Sequence, residues 1–167
     1  MDPKKTGRGM ILVACILGMV VLTMFFSEVE DHQRNPNQAP VTTTSNGIVE
    51  VNLERNRFGH YVTSGTINNQ PVEFLLDTGA TDVVIPGEEA DRLGLERGRP
   101  GRAMTANGAV TVYQTRLEQL SIGGIELHDV RASINPSMSS PGILLGMSAL
   151  EHIEFNQKGD SLTLRQY

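Results

Sequence analysis

Hydrophobic and polar positions divide the chain into three textures. Met10 to Phe26 runs for seventeen residues with nothing more polar than Cys15 and Thr23. As a helix this run is about 26 Å long, slightly short of the ~30 Å hydrocarbon core of a bilayer, and Gly9 and Ser27 can extend it. From Ser27 to Asn46 the text is polar and interrupted by Pro36 and Pro40, with neither helical nor alternating periodicity. Such a stretch cannot bury enough apolar area to fold, which predicts a flexible tether. At Gly47 the pattern changes to period two and stays so to the end, the signature of half-buried strands.

The alternating part predicts short strands and tight turns. Ile48–Glu54 and Phe58–Ile67 alternate, Asn68-Asn69 suits a two-residue turn because Asn tolerates positive φ, and Gln70–Leu76 returns as a third strand. These three read as a meander. Gly87 to Leu95 is a short helix, with acids in its first turn and Gly94 to stop it. Arg97 to Arg102 reads as a loop, and Met104–Tyr113 as a hairpin tipped by Asn107-Gly108. Leu117–Ile122 and Ile125–Ile134 pair around Gly123-Gly124, and Asn135–Gly142 is a Pro/Ser loop. Ile143–Gly146 is a fully apolar strand followed by a helical turn, and Ile153–Phe155 pairs with Ser161–Leu164. Frequent strands with few helices predict an all-β, closed or sandwich-like domain over 47–167.

One stretch departs from ordinary strand chemistry. Val72-Glu73-Phe74-Leu75-Leu76 rises into Asp77-Thr78-Gly79-Ala80-Thr81-Asp82 and resumes as Val83-Val84-Ile85-Pro86. An apolar strand that ends in an acid, where a turn would hold it rigidly, points to chemistry. The alternative is an Asp that merely caps its own turn.

Leu76-Asp77-Thr78-Gly79-Ala80 resembles the active-site turn of retropepsin-like aspartic proteases, and the resemblance extends from about Gly47 to Leu164. It rests, in order, on the Asp-Thr-Gly-Ala turn, the short helix near Glu88, the hairpin at Asn107-Gly108, and Leu144-Leu145-Gly146. The chain also resembles membrane-anchored bacterial members with Asp-Thr-Gly-Ala. The resemblance implies a closed, barrel-like acid-protease fold with one or two short helices. It also implies peptide hydrolysis by water between two carboxylates that share one proton, Asp77 being the catalytic acid.

Only one Asp-Thr-Gly is present, because Asp82, Asp91, Asp129 and Asp160 lack a following Thr/Ser-Gly. On the family mechanism the second carboxylate is therefore Asp77 of another copy, in an isologous homodimer. Thr78 would then bond across the two-fold axis, Gly79 would leave room for substrate, and Ala80 would be small for the same reason. Ala106, Asn107 and Gly108 would form a flap over the peptide, the alternative being an ordinary exposed hairpin. Asp82 is either a substrate contact or a solvated turn residue. Leu144, Leu145 and Gly146 would pack beneath the turn. One departure stands out. Retroviral members pair an Asp after the Ala with an Arg after the later Gly, and here those positions are Thr81 and Met147.

Charge and remaining motifs narrow the field. From Gly47 on, ten basic residues oppose fifteen acidic ones, which disfavours nucleic acid as a partner. The single Cys15 excludes an intrachain disulfide. His32, His60, His128 and His152 show no zinc spacing, no Gly-x-Ser-x-Gly occurs, and Gly123-Gly124 precedes a strand rather than a helix, so neither metal nor cofactor is expected.

At the N-terminus, the Thr-Met-Phe-Phe-Ser-Glu exit offers no small-x-small signal cleavage site. Leu12-Val13-Ala14-Cys15 would make a lipoprotein box only by leaving a second apolar stretch unexplained. A single-pass anchor remains, with 1–9 cytoplasmic, 10–27 spanning, 28–46 as linker and the protease domain periplasmic. Lys4, Lys5 and Arg8 before the span set that orientation. Two further readings stay open: a dimeric peptide-binding adaptor with the same fold, and a protease restricted to cutting its own 27–46 tether.

Overall fold

The computed structural model describes residues 3–105, 108–139 and 142–167. Helix α1 (Pro3–Arg34) contains the apolar run and is long and apolar enough to cross a membrane. Its described large apolar side chains, such as Met10, Ile11, Val13, Leu17, Val21, Phe25 and Phe26, are exposed around the helix. The helix ends where Pro36 disfavours helical geometry for the residue before it.

The domain is built from two sheets. Strands β1 (Val41–Ser45), β2 (Ile48–Glu54), β10 (Glu154–Lys158) and β11 (Ser161–Gln166) form a four-stranded sheet in the order β1-β2-β11-β10. Strands β3 (Val62–Ile67), β4 (Gln70–Leu76), β5 (Val83–Pro86), β6 (Pro100–Thr105), β7 (Gly108–Ile122), β8 (Ile125–Asn135) and β9 (Ile143–Leu145) form the other, in the order β3-β4-β9-β5-β8-β7-β6. Thr66 and Ile67 of β3 also pair with Ser121 and Leu120 of β7, so six strands close on themselves and β6 lies outside the ring. Two short helices, α2 (Gly87–Arg92) and α3 (Met147–Leu150), follow β5 and β9. Phe74, Ile85, Leu117, Leu120, Ile134, Ile143 and Leu145 fill the ring. Val51 and Leu53 of β2, opposite Leu164 and Leu162 of β11, bring the smaller sheet onto the same core. At the β7–β8 turn the sheets touch: Gly123 (φ +55°) approaches Thr42 so closely that a Cβ would lie 2.5 Å from its Oγ1.

Most expected elements are present, including the Asn68-Asn69 turn with both residues at positive φ. Three expectations change. β2 and β3 do not form a meander: they lie in different sheets, and β2 pairs with the C-terminal β11. Alternation reveals a strand's buried face but not its partner. The 97–102 loop is shorter than expected, because β6 begins at Pro100.

The third change is the tether. α1 continues to Arg34, Asn35 and Asn37 are buried against the domain, and β1 pairs with β2 across an Asn46-Gly47 turn. The signal was present in a β-branched Val-Thr-Thr-Thr run followed by Asn-Gly. Polar composition hid it, since every β1 residue is exposed and β1 is held by its ladder rather than by burial. A self-cleavage site in a loose tether therefore loses its premise over 35–45.

Candidate active site

β9 lies between β4 and β5, parallel to β4 through Leu76↔Leu145 and meeting β5 at Val84↔Leu144. The turn Asp77–Asp82 links the two outer strands across the end of β9. Backbone bonds fix it there. Asp77 N–H donates to Leu145 O (3.1 Å), Met147 N–H to Ala80 O (2.8 Å) and Ser148 N–H to Thr81 O (2.9 Å). Gly146 makes the fit possible, because a Cβ there would lie 2.1 Å from Asp82 O and 2.7 Å from Ala80 O.

Within this frame Asp77 is half-buried, and its Oδ1 accepts the Gly79 N–H at 2.9 Å. That bond orients one carboxylate oxygen without neutralising the charge. Among the described residues no basic side chain forms an ion pair with Asp77. Thr78 and Gly79 are exposed and Ala80 is half-buried. A Cβ on Gly79 would meet only Asp77 Oδ1, at 3.1 Å, so the space in front of the turn is open.

Asp82 sits on the far limb of the turn. Arg131 Nε donates to its Oδ1 at 2.7 Å, which ties the turn to β8. The Asp82 carboxylate raises the Arg131 pKa further above its ordinary value, first through this hydrogen bond and then through its charge. Ser148 Oγ completes the network by accepting the Val83 N–H (2.9 Å) and donating to Arg131 O (2.7 Å). Thr81 and Met147 thus carry no side-chain ion pair, and their places are bridged by backbone bonds and by Asp82–Arg131 beside them. Arg131 and Ser148 were missed by sequence reasoning. Arg131 is 49 residues from Asp82 with no motif around it, and a serine after Gly-Met invites comparison with a nucleophile rather than a peg.

The glycine-tipped hairpin is present as β6 and β7, paired from Pro100↔Tyr113 to Thr105↔Gly108. It projects beyond the first β7–β8 pair, Tyr113↔Ile134, and Met104 near its tip is 82% exposed. Gly108 adopts φ +106°. Ala106 and Asn107, the other expected flap residues, lie outside the described residues. Among the described residues no cluster of His, Cys, Asp and Glu is arranged to hold a metal ion.

Comparison with known proteins bears on this geometry. A family model described as "gag-polyprotein putative aspartyl protease" matches residues 63–152, from β3 through α3. The chain is similar to the crystal structure of a retropepsin-like aspartic protease from Rickettsia conorii, with 30% identity and a TM-score of 0.62, covering 76% of this chain and 95% of that one. It is 33% identical over 134 residues to an uncharacterised protein from the cobV 5′ region of a Sinorhizobium species, covering 78% of this chain and 58% of that protein. It is also 29% identical over 116 residues to an uncharacterised protein of Rickettsia prowazekii (strain Madrid E), covering 66% of this chain and 48% of that one. The chain thus spans about half the length of these last two relatives.

Proposed function

Because the chain belongs to the retropepsin-like aspartic protease family, we propose that it is an aspartic endopeptidase, active as a homodimer in which two Asp77 carboxylates meet on the two-fold axis. The observation that carries this reading is the state of Asp77. It is a half-exposed acid on a backbone-locked turn, with one oxygen oriented by Gly79 and no cation of its own chain paired to it among the described residues. The Gly79 bond caps the turn through one oxygen, as a purely structural Asp would do, but among the described residues no hydrogen bond or ion pair occupies the other oxygen, which is left for a partner outside the chain.

The chemistry follows from proximity. Two carboxylates brought together cannot both stay ionised, so they share one proton and titrate as a pair. The ionised member takes a proton from a water molecule, which attacks the peptide carbonyl carbon. The protonated member gives its proton to the carbonyl oxygen. Thr78, exposed at the tip, bonds the opposite turn in this reading, and the open space before Gly79 admits the substrate backbone. The β6–β7 hairpin serves as the flap, with Gly108 at its tip, closing over the peptide and excluding water. Asp82, held by Arg131, keeps the turn from shifting as substrate enters, and its remaining exposure leaves an oxygen for substrate contact.

Helix α1 anchors the enzyme in the cytoplasmic membrane through residues 10–27, with the catalytic domain on the extracytoplasmic side. The support is its length, its exposed apolar surface, and Lys4, Lys5 and Arg8 ahead of the span against Glu28, Glu30 and Asp31 after it. Confinement to one surface raises the effective concentration of the two copies.

The deciding experiment digests a peptide library with the full chain in detergent or nanodiscs, wild type against Asp77→Asn. Cleavage by the wild type and at least a thousandfold less by the variant is expected. Equal cleavage by both removes the assignment. Binding without cleavage by either protein transfers it to a peptide-binding adaptor.

A further inference from the structure

The join between α1 and the domain is built from buried asparagines. Asn37, 5% exposed, behaves like an inserted strand residue. Its Oδ1 accepts the Glu54 N–H (2.7 Å), and its Nδ2 donates to Glu54 O (2.9 Å) and Val62 O (2.7 Å). Its backbone oxygen accepts the Ser64 N–H at 3.0 Å, giving a parallel bridge to Thr63. One side chain therefore ties the end of β2 to the start of β3, across the gap between the two sheets.

Asn35, 2% exposed, donates from Nδ2 to Ser64 Oγ and to Glu73 Oε2, both at 3.1 Å, while its Oδ1 accepts the Asn37 N–H. Asn56 donates to Arg34 O (2.8 Å), satisfying a terminal carbonyl of the helix. Arg34 pairs with Glu73 at 3.4 Å, and Arg57 reaches Gln33 on the last helical turn. Four domain segments thus grip the last turn of α1 and the three residues beyond it.

We propose that this clasp makes α1 and the catalytic domain one rigid body, so that the active-site turn works at a fixed height above the membrane. Its substrates are then the juxtamembrane segments of other membrane-anchored polypeptides. This rests on the membrane-anchored protease reading above. Ser27 to Arg34 continue the helix for eight residues, about 12 Å beyond the apolar run. Glu73, bound to Arg34 and Asn35, precedes Asp77 by four residues along β4 and its end, about 13 Å. With about 15 Å for the two side chains that join Arg34 to Glu73, Asp77 therefore stands no more than about 40 Å from the end of the apolar run. A flexible tether over the nineteen residues 28–46 would instead let the site range out to about 65 Å. Height becomes a determinant of specificity alongside side-chain preference.

The test uses the full chain in nanodiscs in three forms. These are the wild type, a variant with seven helix-forming residues inserted after Ser27, and a variant with eight Gly/Ser residues inserted after Arg34, which leaves Asn35 and Asn37 docked. Each is given membrane-anchored reporters whose cleavable sequence stands on polyproline spacers of increasing length, and the same sequence as a soluble peptide. The wild type should show one narrow optimum in spacer length. The helical insertion should move it outward by about three proline residues, and the Gly/Ser insertion should flatten it, with soluble-peptide cleavage unchanged in all three. Equally broad profiles in all three, with the soluble peptide cut normally, overturn the proposal but not the protease.

If no form cuts the soluble peptide, the protease reading fails, and height is read without catalysis. Energy transfer from a probe on Asn156→Cys, in a Cys15→Ser background, to labelled headgroups gives it directly. A single wild-type distance that rises by about 10 Å with the helical insertion sustains the rigid join. A wild-type spread as wide as that of the Gly/Ser form, or recovery of the full chain in the soluble fraction, overturns it.

Discussion

Ser148 holds two backbone groups at once, the buried Val83 N–H and the partly buried Arg131 O. Ser148→Ala should cost about 1–3 kcal/mol, because the Val83 N–H is left unpaired beneath the turn. The measurement is the melting temperature of the domain, and hydrolysis should fall with it as the turn loosens. Gly146→Ala should be worse, by about 3 kcal/mol or more, since its Cβ would press on backbone oxygens rather than on side chains that can swing aside. Urea titration checks this, and a variant as stable as wild type would mean that the turn can move away from β9. At this scale the sequence was informative where chemistry is local. Asp77 stood out because an apolar strand, an acid and a small-residue turn are contiguous. Arg131 was hidden because its meaning depends on Asp82, which only the closed sheet brings within 2.7 Å. Asp82 itself, expected as either a substrate contact or a solvated turn residue, is first of all half of that pair.

Strand pairing explains which elements were readable. The hairpins over 62–76, 104–113 and 154–164 follow from local alternation plus a turn dipeptide, whereas the extension of β6 back to Pro100 does not. The pairing of β2 with β11 does not, since its registers join positions more than a hundred residues apart, such as Val51 and Leu164. The same strand pair carries a pH-sensitive contact. Arg165 Nε donates to Glu50 Oε2 at 2.8 Å, and this bond first, with Asn52 and the Arg165 charge as lesser aids, lowers the Glu50 pKa below the ordinary carboxylate value. Because the folded value is the lower one, this contribution is present above the ordinary carboxylate range. It is lost as pH falls through the lowered value. Glu50→Gln should therefore flatten the acid limb of stability against pH while leaving neutral hydrolysis unaltered, which chemical denaturation at a series of pH values would show. At the helix join, Asn37→Ala strips partners from Glu54 and Val62 together and should cost about 2–5 kcal/mol. Thermal unfolding of the full chain in detergent measures that loss.

For the molecule as a whole, a single catalytic acid per chain, as proposed above, would make activity a property of pairs. Co-expressing equal amounts of wild type and Asp77→Asn should leave about one quarter of the dimers with both acids, if the copies mix at random. Activity per total chain should drop to that fraction, whereas one half would mean that each chain works alone. Single acid and apolar N-terminus were both visible in the sequence. The way helix and domain meet was not, because polar asparagines in an apparently loose stretch gave no hydrophobic pattern to read. If α1 spans the bilayer and the chains pair as proposed, that junction has a geometric consequence for pairing. Two symmetric copies whose stiff helices enter one bilayer from the same side have a single direction open to their common axis, the bilayer normal. An axis lying in the membrane plane would point one helix into water. Encounter then reduces to sliding in two dimensions plus a spin about one line, with tumbling already removed before the two turns touch.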